Sequence, residues 1–257
     1  MAADYTVATA VSTSFPSFLT TVRGHDTDPG WWRDLPPVRD LQRRDIGESV
    51  TDQRTSFVRR LPTSRGPVFA KTYLYPTWAA RLRAAWRWTG PWRASRAARE
   101  FDALVWMRHH DLPAPEPLAV LESRRSGFLC SATLLTAGFD GDATAALFPD
   151  LAATDRERLA IAIGRCVAAL HDLGFRDRNL DLRNLLARRT ADGFVVAKID
   201  SPRHRLVRAG RFDDRFTAAD WHRLLPQLHA FGVAAVARAA AAAAPLRLPP
   251  ASADRRS

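Results

Sequence analysis

The stretch that decides the fold reads LHDLGFRDRNLDLRNLL over residues 170–186, and VVAKID follows over residues 195–200. An apolar helix end leads into a polar loop, two leucines and a further polar segment at residues 188–193. A run of β-forming residues then ends on Asp200. Because a polar segment between two apolar runs predicts a hairpin, we expect Asn184 and Asp200 to lie close together.

Asn184 and Asp200 are candidate ligands for a magnesium ion, since amide and carboxylate oxygens are hard donors that suit Mg²⁺. Phosphoryl transfer needs such ligands, a cation on the phosphates and a group that orients the acceptor hydroxyl. Taken alone, the stretch is equally consistent with a helix, a surface loop and a strand that carry scattered acids.

The use of lysine adds a second observation. Only two of the 38 Lys and Arg residues are lysines, Lys71 and Lys198. Lys71 lies inside the apolar segment GPVFAKTY at residues 66–73. A compact ammonium binds phosphate as a point charge, whereas a forked guanidinium demands another geometry. Lys71 therefore indicates a phosphate-binding cation rather than a chance surface lysine, while Lys198 is weaker evidence because it flanks the proposed metal-binding strand.

Several motifs follow one another in a defined order: VFAKTY at 68–73, SRAAREFDALVWM at 95–107, PAPEPLAVLE at 113–122, GFLCSATLL at 127–135, and then the loop with KID. This order resembles the lipopolysaccharide kinase family of the Kdo/WaaP type, over about residues 45–230. The resemblance implies a bacterial protein with a two-lobed α+β protein-kinase-like fold. A small antiparallel sheet lobe would be joined to a larger helical lobe.

The resemblance also divides the chain. It implies an N-terminal extension at residues 1–44 and a small β-rich lobe with one key helix at residues 45–136. A helical lobe with the catalytic loop would cover residues 137–244, and residues 245–257 would form a disordered tail.

Individual residues acquire roles by the same resemblance, with ATP and Mg²⁺ as cofactors. Lys71 would hold the α and β phosphates of ATP, and Glu100 would pair with Lys71. Asn184 and Asp200 would bind Mg²⁺. The segment that contacts adenine would contain Ala132, Leu134 and Thr136. For Glu100, helical spacing also allows a surface ion pair with Arg96.

The loop departs from the kinase pattern at the catalytic base. Kinase loops place His-Arg-Asp so that the aspartate precedes the metal-binding asparagine by five residues, but this chain has Asp177, Arg178 and Asn179 there. Asn179 cannot accept a proton, and Asp181 follows two residues later. Asp181 or Asp177 could serve, because the loose transition state needs orientation of the hydroxyl more than strong base catalysis. The alternative is a pseudokinase that binds nucleotide as a scaffold or regulator.

The formal net charge of +11 predicts attraction to an anionic partner, such as nucleic acid, anionic lipid or a phosphorylated sugar. The sequence carries no helix-turn-helix, zinc-knuckle or aromatic RNA-binding signature, which argues against nucleic acid. Cys130 and Cys166 lie in apolar contexts without metal-ligand spacing and indicate buried thiols in a reducing compartment. The sequence shows neither a signal peptide nor a run of ~20 uncharged apolar residues, so we expect a cytoplasmic protein.

Residues 76–92 combine tryptophan with arginine. A helical wheel separates an apolar side from a basic side: Trp78, Leu82, Ala85 and Trp86 against Arg83 and Arg87. Two interpretations remain open. The apolar side packs against the body of the protein, or it makes a peripheral contact with an anionic membrane surface, on the inner membrane.

Shorter patterns predict individual elements of the first half of the chain. The first 44 residues contain prolines and broken periodicity, which argue against a helix or a central strand. Trp31 and Trp32 would dock on the body. Strands at residues 46–50 and 55–61 would precede the strand of Lys71, with a phosphate-covering loop at residues 47–55.

Two further predictions concern the helix that leads to the loop. Thr154 and Glu157 fit a capping box at its start. His171, at its end, is predicted to make a structural contact rather than to act as a base.

These features predict an ATP-dependent kinase that transfers the γ-phosphate to a hydroxyl of a cell-envelope sugar or glycolipid. The pseudokinase is the alternative from the same fold. A basic binding protein without a nucleotide site is a third class.

Overall fold

The computed structural model describes residues 18–24, 30–38, 40–84, 94–210 and 215–244. The chain divides into two compact units. The first comprises Met1–Val105 and Glu116–Gly138, and the second comprises Trp106–Pro115 and Phe139–Ser257. The predicted tail at residues 245–257 lies outside the described residues, and the predicted boundaries of extension and lobes stay predictions.

The described part of the first unit contains a six-stranded antiparallel sheet. Its strands are β1 (Phe18–Gly24), β2 (Glu48–Gln53), β3 (Ser56–Leu61), β4 (Val68–Leu74), β5 (Pro117–Arg125) and β6 (Phe128–Ala137). Their order across the sheet is β1-β5-β6-β4-β3-β2. β4 and β6 are therefore interior neighbours, while β1 and β2 form the edges.

Alternation along β4 explains which side chains enter the core. Val68 and Ala70 are fully buried, and Phe69 and Lys71 between them are only half-buried, as the two-residue period of a strand requires. The buried side belongs to one apolar cluster of Trp31, Leu41, Leu61, Val68, Ala70, Leu118, Ala119, Leu121, Leu135 and Ala137. Lys71 is thus held by a well-packed strand while its side chain points away from that cluster.

The N-terminal region contributes to the first unit. β1 pairs along its whole length with β5, from Phe18 opposite Arg125 to Gly24 opposite Ala119. A single helical turn, α1 (Gly30–Arg33), follows, and Trp31 packs into the core, as predicted. The prediction that this region lacks a helix is wrong, because four residues are too few to show helical periodicity. β1 lies at an edge and not at the centre of the sheet.

Two more helices complete this part of the chain, α2 (Trp78–Ala84) and α3 (Arg96–His109). The Ser95 hydroxyl accepts a hydrogen bond from the backbone N–H of Ala98 at 3.0 Å, which caps the start of α3. Buried positions follow at helical spacing: Ala97, Glu100, Phe101, Leu104 and Met107. Glu100 therefore lies on the apolar face of the helix.

The described part of the second unit contains four helices and two small antiparallel sheets. The helices are α4 (Thr144–Leu147), α5 (Ala153–Asp172), α6 (Arg215–His229) and α7 (Ala234–Ala242). One sheet has the order β10-β9-β7, with strands β7 (Asp142–Ala143), β9 (Leu185–Thr190) and β10 (Gly193–Lys198). The other pairs β8 (Phe175–Arg176) with β11 (Arg205–Leu206).

α5 is the central helix of the second unit. Its buried residues include Leu159, Ile163 and Val167, which belong to the core cluster of this unit. α7 approaches so closely that a Cβ added at Gly164 would overlap the carbonyl oxygen of Ala237. No helix in the described part of the chain combines the length and apolar character needed to cross a bilayer.

The predicted capping box of α5 is wrong. The helix begins at Ala153, Ala152 is the extended N-cap residue, and no side chain caps it. Thr154 already lies within the first turn, so its hydroxyl cannot occupy the capping position opposite Glu157.

The predicted hairpins are observed with shifted bounds. β2 covers residues 48–53, so the interval 47–55 is mostly strand, and the turn lies between Gln53 and Ser56. The polar segment at residues 188–193 does form a hairpin: β9 and β10 pair from Thr190 opposite Gly193 to Leu185 opposite Lys198.

Candidate active site

In the first unit, Lys71 forms an ion pair with Glu100. The Lys71 ammonium lies 3.1 Å from Oε1 and 3.0 Å from Oε2 of the Glu100 carboxylate. The Tyr73 hydroxyl donates a third hydrogen bond to Oε2 at 3.1 Å. The Lys71 side chain is 23% exposed and that of Glu100 only 5%, so the pair is partly desolvated and its lysine end is accessible.

The same contacts decide between the two interpretations of Glu100. Its carboxylate faces β4 and not the surface, and Arg96 instead places its guanidinium over the Tyr73 ring, 6.0 Å from the centroid. The structure therefore brings Lys71 and Glu100 together.

The segment predicted to contact adenine lies in the middle of β6. Its backbone pairs with β4 on one side, where Leu134 faces Lys71, and with β5 on the other. Ala132 and Leu134 are buried and Thr136 is half-buried. Because both neighbouring strands occupy the backbone polar groups, a contact between this segment and adenine stays a prediction that only side chains could satisfy.

In the second unit, the β9–β10 hairpin joins Asn184 to Asp200. Asn184 ends a 3₁₀ turn directly before β9, and Asp200 follows β10 by two residues. The Ile199 N–H donates to the carbonyl of Asn184 at 3.0 Å and ties the two segments together. The hairpin therefore does what the sequence predicted.

Asn179 links the two predicted metal ligands. Its side-chain amide donates to Oδ2 of Asp200 at 3.0 Å and to the Asp200 carbonyl at 3.1 Å. The side-chain amide of Asn184 donates in turn to the Asn179 carbonyl at 3.1 Å. An aspartate in place of Asn179 would repel the Asp200 carboxylate, whereas the neutral amide binds it. The residue that departs from the kinase pattern thus has a definite structural contact.

The backbone is strained at two residues of this group and its loop, Asp200 and Arg178. Asp200 has φ +58° and Arg178 has φ +59°, a left-handed conformation that residues other than glycine rarely adopt. Such conformations cost of order 1–3 kcal/mol each and cluster at functional sites. In this conformation Asp200 accepts the two hydrogen bonds from Asn179.

Asp181 binds Arg183 through both oxygens. Its Oδ1 accepts from the backbone N–H and Nε of Arg183 at 3.0 Å each, and Oδ2 accepts from Nη2 at 3.0 Å. The hydrogen bonds from Arg183 lower the pKa of Asp181 below its ordinary value. Asp181 is therefore ionised at neutral pH and a weak base, next to an arginine side chain that is 76% exposed.

Asp177 is in a different environment. Its side chain and that of Lys198 are each 1% exposed, and the Lys198 ammonium lies 3.1 Å from Oδ2 of Asp177. Burial raises the pKa of the Asp177 carboxyl, against the opposing effect of Lys198. Asp177 and Lys198 therefore form a buried internal pair, and the role of Asp177 as a base stays a prediction.

Asp220 of α6 anchors the backbone of the loop, and the sequence did not reveal this role. Its Oδ1 accepts from the N–H of Arg178 at 2.7 Å, and Oδ2 accepts from the N–H of Asp177 at 3.1 Å. Nε2 of His171 lies 3.2 Å from the same Oδ2, so His171 makes the structural contact that was predicted. The only sequence signal for Asp220 was an acid on the apolar side of a helix, beside Trp221.

The oxygen donors of Asn184 and Asp200 suit a magnesium ion that is also bound by water and phosphate, rather than a metal ion bound by protein side chains alone. In the part of the chain that the structure describes, no group of three or more His, Cys, Asp or Glu side chains could hold a metal ion. Mg²⁺ commonly takes one or two protein oxygens and completes its shell with water and phosphate. Asn184 and Asp200 could supply those two oxygens.

A lysine–glutamate pair on an antiparallel sheet and a loop that joins Asn184 to Asp200 define a protein-kinase-like fold. A solved structure described as "WaaP in complex with acyl carrier protein" has this fold in common with the chain, with a TM-score of 0.61 at 16% identity. The similarity covers 88% of this chain and 90% of that chain. The predicted fold class is confirmed.

The sequence profile of the lipopolysaccharide kinase (Kdo/WaaP) family matches residues 31–228. This range is well over half of the chain, and the protein belongs to that family of kinases, as the order of motifs predicted. No curated protein matches the sequence.

Proposed function

We propose that the protein is an ATP-dependent kinase that transfers the γ-phosphate to a hydroxyl of a cell-envelope sugar or glycolipid. Membership of a kinase family supports the reaction class. The observation that carries the proposal is the hydrogen-bonded group of Asn179, Asn184 and Asp200. An amide and a carboxylate held together can supply the oxygen ligands that phosphoryl transfer requires of the protein.

In this proposal each unit supplies its own part of the chemistry. Lys71 binds the α and β phosphates, and Glu100 fixes the position of its ammonium. A magnesium ion on Asn184 and Asp200 would neutralise charge on the β and γ phosphate oxygens. Catalysis of this kind consists mostly of positioning and electrostatic stabilisation, which suits residues held by several hydrogen bonds.

The acceptor hydroxyl is oriented by Asp181 in this proposal. Asp177 is buried against Lys198, and Asn179 donates to Asp200, whereas Asp181 is hydrogen-bonded to the exposed Arg183. The Asp181 side chain is only 8% exposed but that of Arg183 is 76% exposed, so in this proposal the hydroxyl reaches Asp181 by replacing a hydrogen bond from the accessible Arg183. The lowered pKa of Asp181 is acceptable because the loose transition state needs orientation more than a strong base.

One observation favours the pseudokinase as a second candidate. Asn179 occupies the usual position of the catalytic aspartate and donates to Asp200. A protein that uses this contact only to hold a nucleotide would bind Mg-ATP without transferring phosphate. A protein that binds Mg-ATP and also turns it over is a kinase, and one that binds Mg-ATP without turnover is a pseudokinase.

Thermal unfolding with ATP, with and without magnesium, tests the proposed site. A ligand at about 100 times its Kd stabilises by about 2.7 kcal/mol, which is a shift of several degrees for a domain of this size. We expect a magnesium-dependent shift that is lost in Asp200→Ala. Asp192→Ala, an exposed acid in the turn of the same hairpin, is the matched control. An equal shift in Asp200→Ala and the control would contradict the assignment.

We also propose that α2 makes a peripheral contact with the cytoplasmic face of the inner membrane. Trp78 and Leu82 are 53% and 54% exposed, although large apolar side chains are usually buried. Arg81 lies over the Trp78 ring, 5.4 Å from the centroid, and the whole chain is strongly positive. Ala85, Trp86 and Arg87 of the predicted amphipathic pattern lie outside the described residues.

Sedimentation with lipid vesicles tests this contact. We expect the protein to bind vesicles that contain an anionic lipid more strongly than zwitterionic ones. The double variant Trp78→Ser, Leu82→Ser should lose this binding, while Val50→Ser, at another exposed apolar side chain, should retain it. Equal binding of both variants would contradict a role for α2.

A further inference from the structure

Lys198 is the second of the two lysines in the chain, and the proposed reaction does not use it. It ends β10 and precedes Asp200 by two positions. Its side chain is only 1% exposed, although a lysine is almost never fully buried unless it is paired. A buried ammonium so close to a proposed magnesium ligand calls for a specific explanation.

The Lys198 ammonium makes two contacts. It lies 3.1 Å from Oδ2 of Asp177, and it donates a hydrogen bond to the carbonyl of Ile199. The N–H of Ile199 donates in turn to the carbonyl of Asn184 at 3.0 Å. Both backbone polar groups of Ile199, the residue directly before Asp200, are therefore held.

The pairing with Asp177 does not by itself explain why a lysine is buried here. A buried ion pair is often no more stabilising than apolar side chains of similar volume, because both charges lose their hydration. An ammonium adds a charge-assisted hydrogen bond, which is shorter and stronger than a neutral one. The Ile199 carbonyl receives such a bond, and the Asp177 carboxylate balances the buried charge.

The hydrogen bond from Lys198 lies next to a strained residue. Asp200 has φ +58°, and a conformation of this kind persists only where the surrounding structure determines it. Asp177 is itself fixed, because its backbone N–H donates to Oδ2 of Asp220 at 3.1 Å. A continuous series of contacts therefore runs from α6 through Asp177 and Lys198 to the residue that precedes Asp200.

We propose that Lys198 is a positioning residue for Asp200. Its ammonium fixes the Ile199 carbonyl and so holds the Asp200 carboxylate in the orientation that binds magnesium, while Asp177 supplies the counter-charge. This inference rests on the proposed kinase function, in which Asp200 is a magnesium ligand. Removal of a group that orients a metal ligand typically lowers metal affinity by roughly 10–100-fold.

Calorimetric titration of the full chain with ADP, in magnesium and in a chelator, tests this role. The variant is Asp177→Asn, Lys198→Met, which removes both charges together and leaves neither of them buried alone. We expect a roughly tenfold or larger loss of affinity for Mg-ADP. The affinity for ADP in the chelator should stay unchanged, because Lys71 is intact. Urea unfolding of the variant is measured alongside, so that a loss of stability is not mistaken for a loss of affinity.

The matched control is Asp155→Asn, Arg189→Met. It removes the same two charges from an ion pair that joins α5 to β9 at 2.8 Å, and it should bind Mg-ADP as the wild type does. A variant that binds Mg-ADP as tightly as this control would overturn the role of Lys198 while leaving the kinase supported.

Hydrogen exchange in the chain without nucleotide separates this inference from the proposed function. The backbone N–H of Ile199 should exchange faster in the variant than in the wild type and the control, because its neighbouring carbonyl is no longer held. Residues 194–196 of β10 should keep their exchange rates. Unchanged exchange at Ile199 would overturn the inference whatever the nucleotide affinity. A wild type that binds no Mg-ADP would contradict the kinase, and the exchange at Ile199 would still decide whether Lys198 holds the backbone before Asp200.

Discussion

Asp177 and Asp181 lie four positions apart in one loop and have opposite pKa shifts. Burial raises the pKa of Asp177, which faces Lys198, while hydrogen bonds from Arg183 lower the pKa of Asp181. The first carboxylate has 1% of its side chain exposed and the second 8%. At the scale of single residues, the environment therefore separates an acid paired with a buried lysine from one paired with an accessible arginine.

The buried pair predicts a large effect on stability. Asp177→Asn leaves the Lys198 charge without its partner, and breaking a buried ion pair costs about 3–5 kcal/mol. The double variant Asp177→Asn, Lys198→Met removes both charges and should recover most of this loss. Urea unfolding of the wild type, both single variants and the double variant measures the coupling. Additive effects of the two substitutions would contradict the pairing.

Asp181 predicts a pH dependence of stability. Its folded pKa is lowered, so its contribution is present above the unfolded value of about 3.9 and is lost as the pH falls through the folded pKa. The difference in unfolding free energy between wild type and Asp181→Asn should be at most about 1 kcal/mol near neutral pH, because Arg183 is exposed. It should shrink below about pH 4. A difference that grows on acidification would contradict the direction of the pKa shift.

Replacement of Lys71 should reduce both nucleotide binding and the stability of the fold. Lys71→Met removes the ammonium from the buried Glu100 carboxylate, which keeps the hydrogen bond from Tyr73. The cost should be near the lower end of the roughly 3–5 kcal/mol range for buried pairs, because Lys71 is partly exposed. Lys71→Met with Glu100→Gln should restore stability but not the thermal shift with Mg-ATP. Recovery of that shift in the double variant would contradict the role of Lys71.

Residue types and order were enough to predict part of this site. Lys71 stood out because lysine is rare in the chain, and the hairpin that joins Asn184 to Asp200 followed from alternating polarity. The partners of Asp177 and Asp220 could not be predicted in the same way. Their roles depend on burial and on contacts with Lys198 and with the backbone of the loop, which a linear pattern does not contain.

At the scale of elements, two contacts between distant parts of the chain hold the loop and the segment before it in place. Asp220 of α6 binds its backbone N–H groups. Gly174, between α5 and β8, has φ +85° and accepts a hydrogen bond from the N–H of Val207 at 2.8 Å. A Cβ added at Gly174 would overlap the carbonyl oxygen of Val207. The end of α5 and the segment after β11 therefore touch through a site that admits only glycine.

Gly174→Ala should destabilise the protein by more than its backbone strain alone. A positive φ in a residue with a Cβ costs about 1–3 kcal/mol, and the overlap with Val207 adds to this cost. Gly232→Ala is the control, because Gly232 has a similar φ of +74° with nothing within 4 Å of an added Cβ. Thermal unfolding should show the larger loss for Gly174→Ala. Equal losses would mean that the contact with Val207 is not tight.

Element boundaries were harder to predict than the existence of elements. The β3, β4 and hairpin strands were found from their periodicity, but α5 begins without the predicted cap, at Ala153. β1 was missed because a strand that is stabilised by pairing with β5 needs no strong pattern of its own.

At the scale of the whole molecule, the chain combines a kinase fold with a formal charge of +11. Exposed apolar side chains on α2 accompany this charge, and a contact with an anionic lipid surface is the use that we propose for both. The family match begins at residue 31, so β1, at residues 18–24, lies outside it although it is part of the sheet.

That position of β1 has a consequence for self-association. A chain shortened to begin at residue 30 would leave residues 119–125 of β5, which pair with β1, with an open row of backbone donors and acceptors. Open strand edges pair with other chains and aggregate. We expect the shortened chain to form concentration-dependent oligomers in light scattering, with the full chain measured alongside at the same concentration. A shortened chain as monodisperse as the full chain would show that β5 does not need β1 to prevent association. If the shortened chain does form oligomers, β1 prevents polymerisation, although it lies outside the residues that match the family.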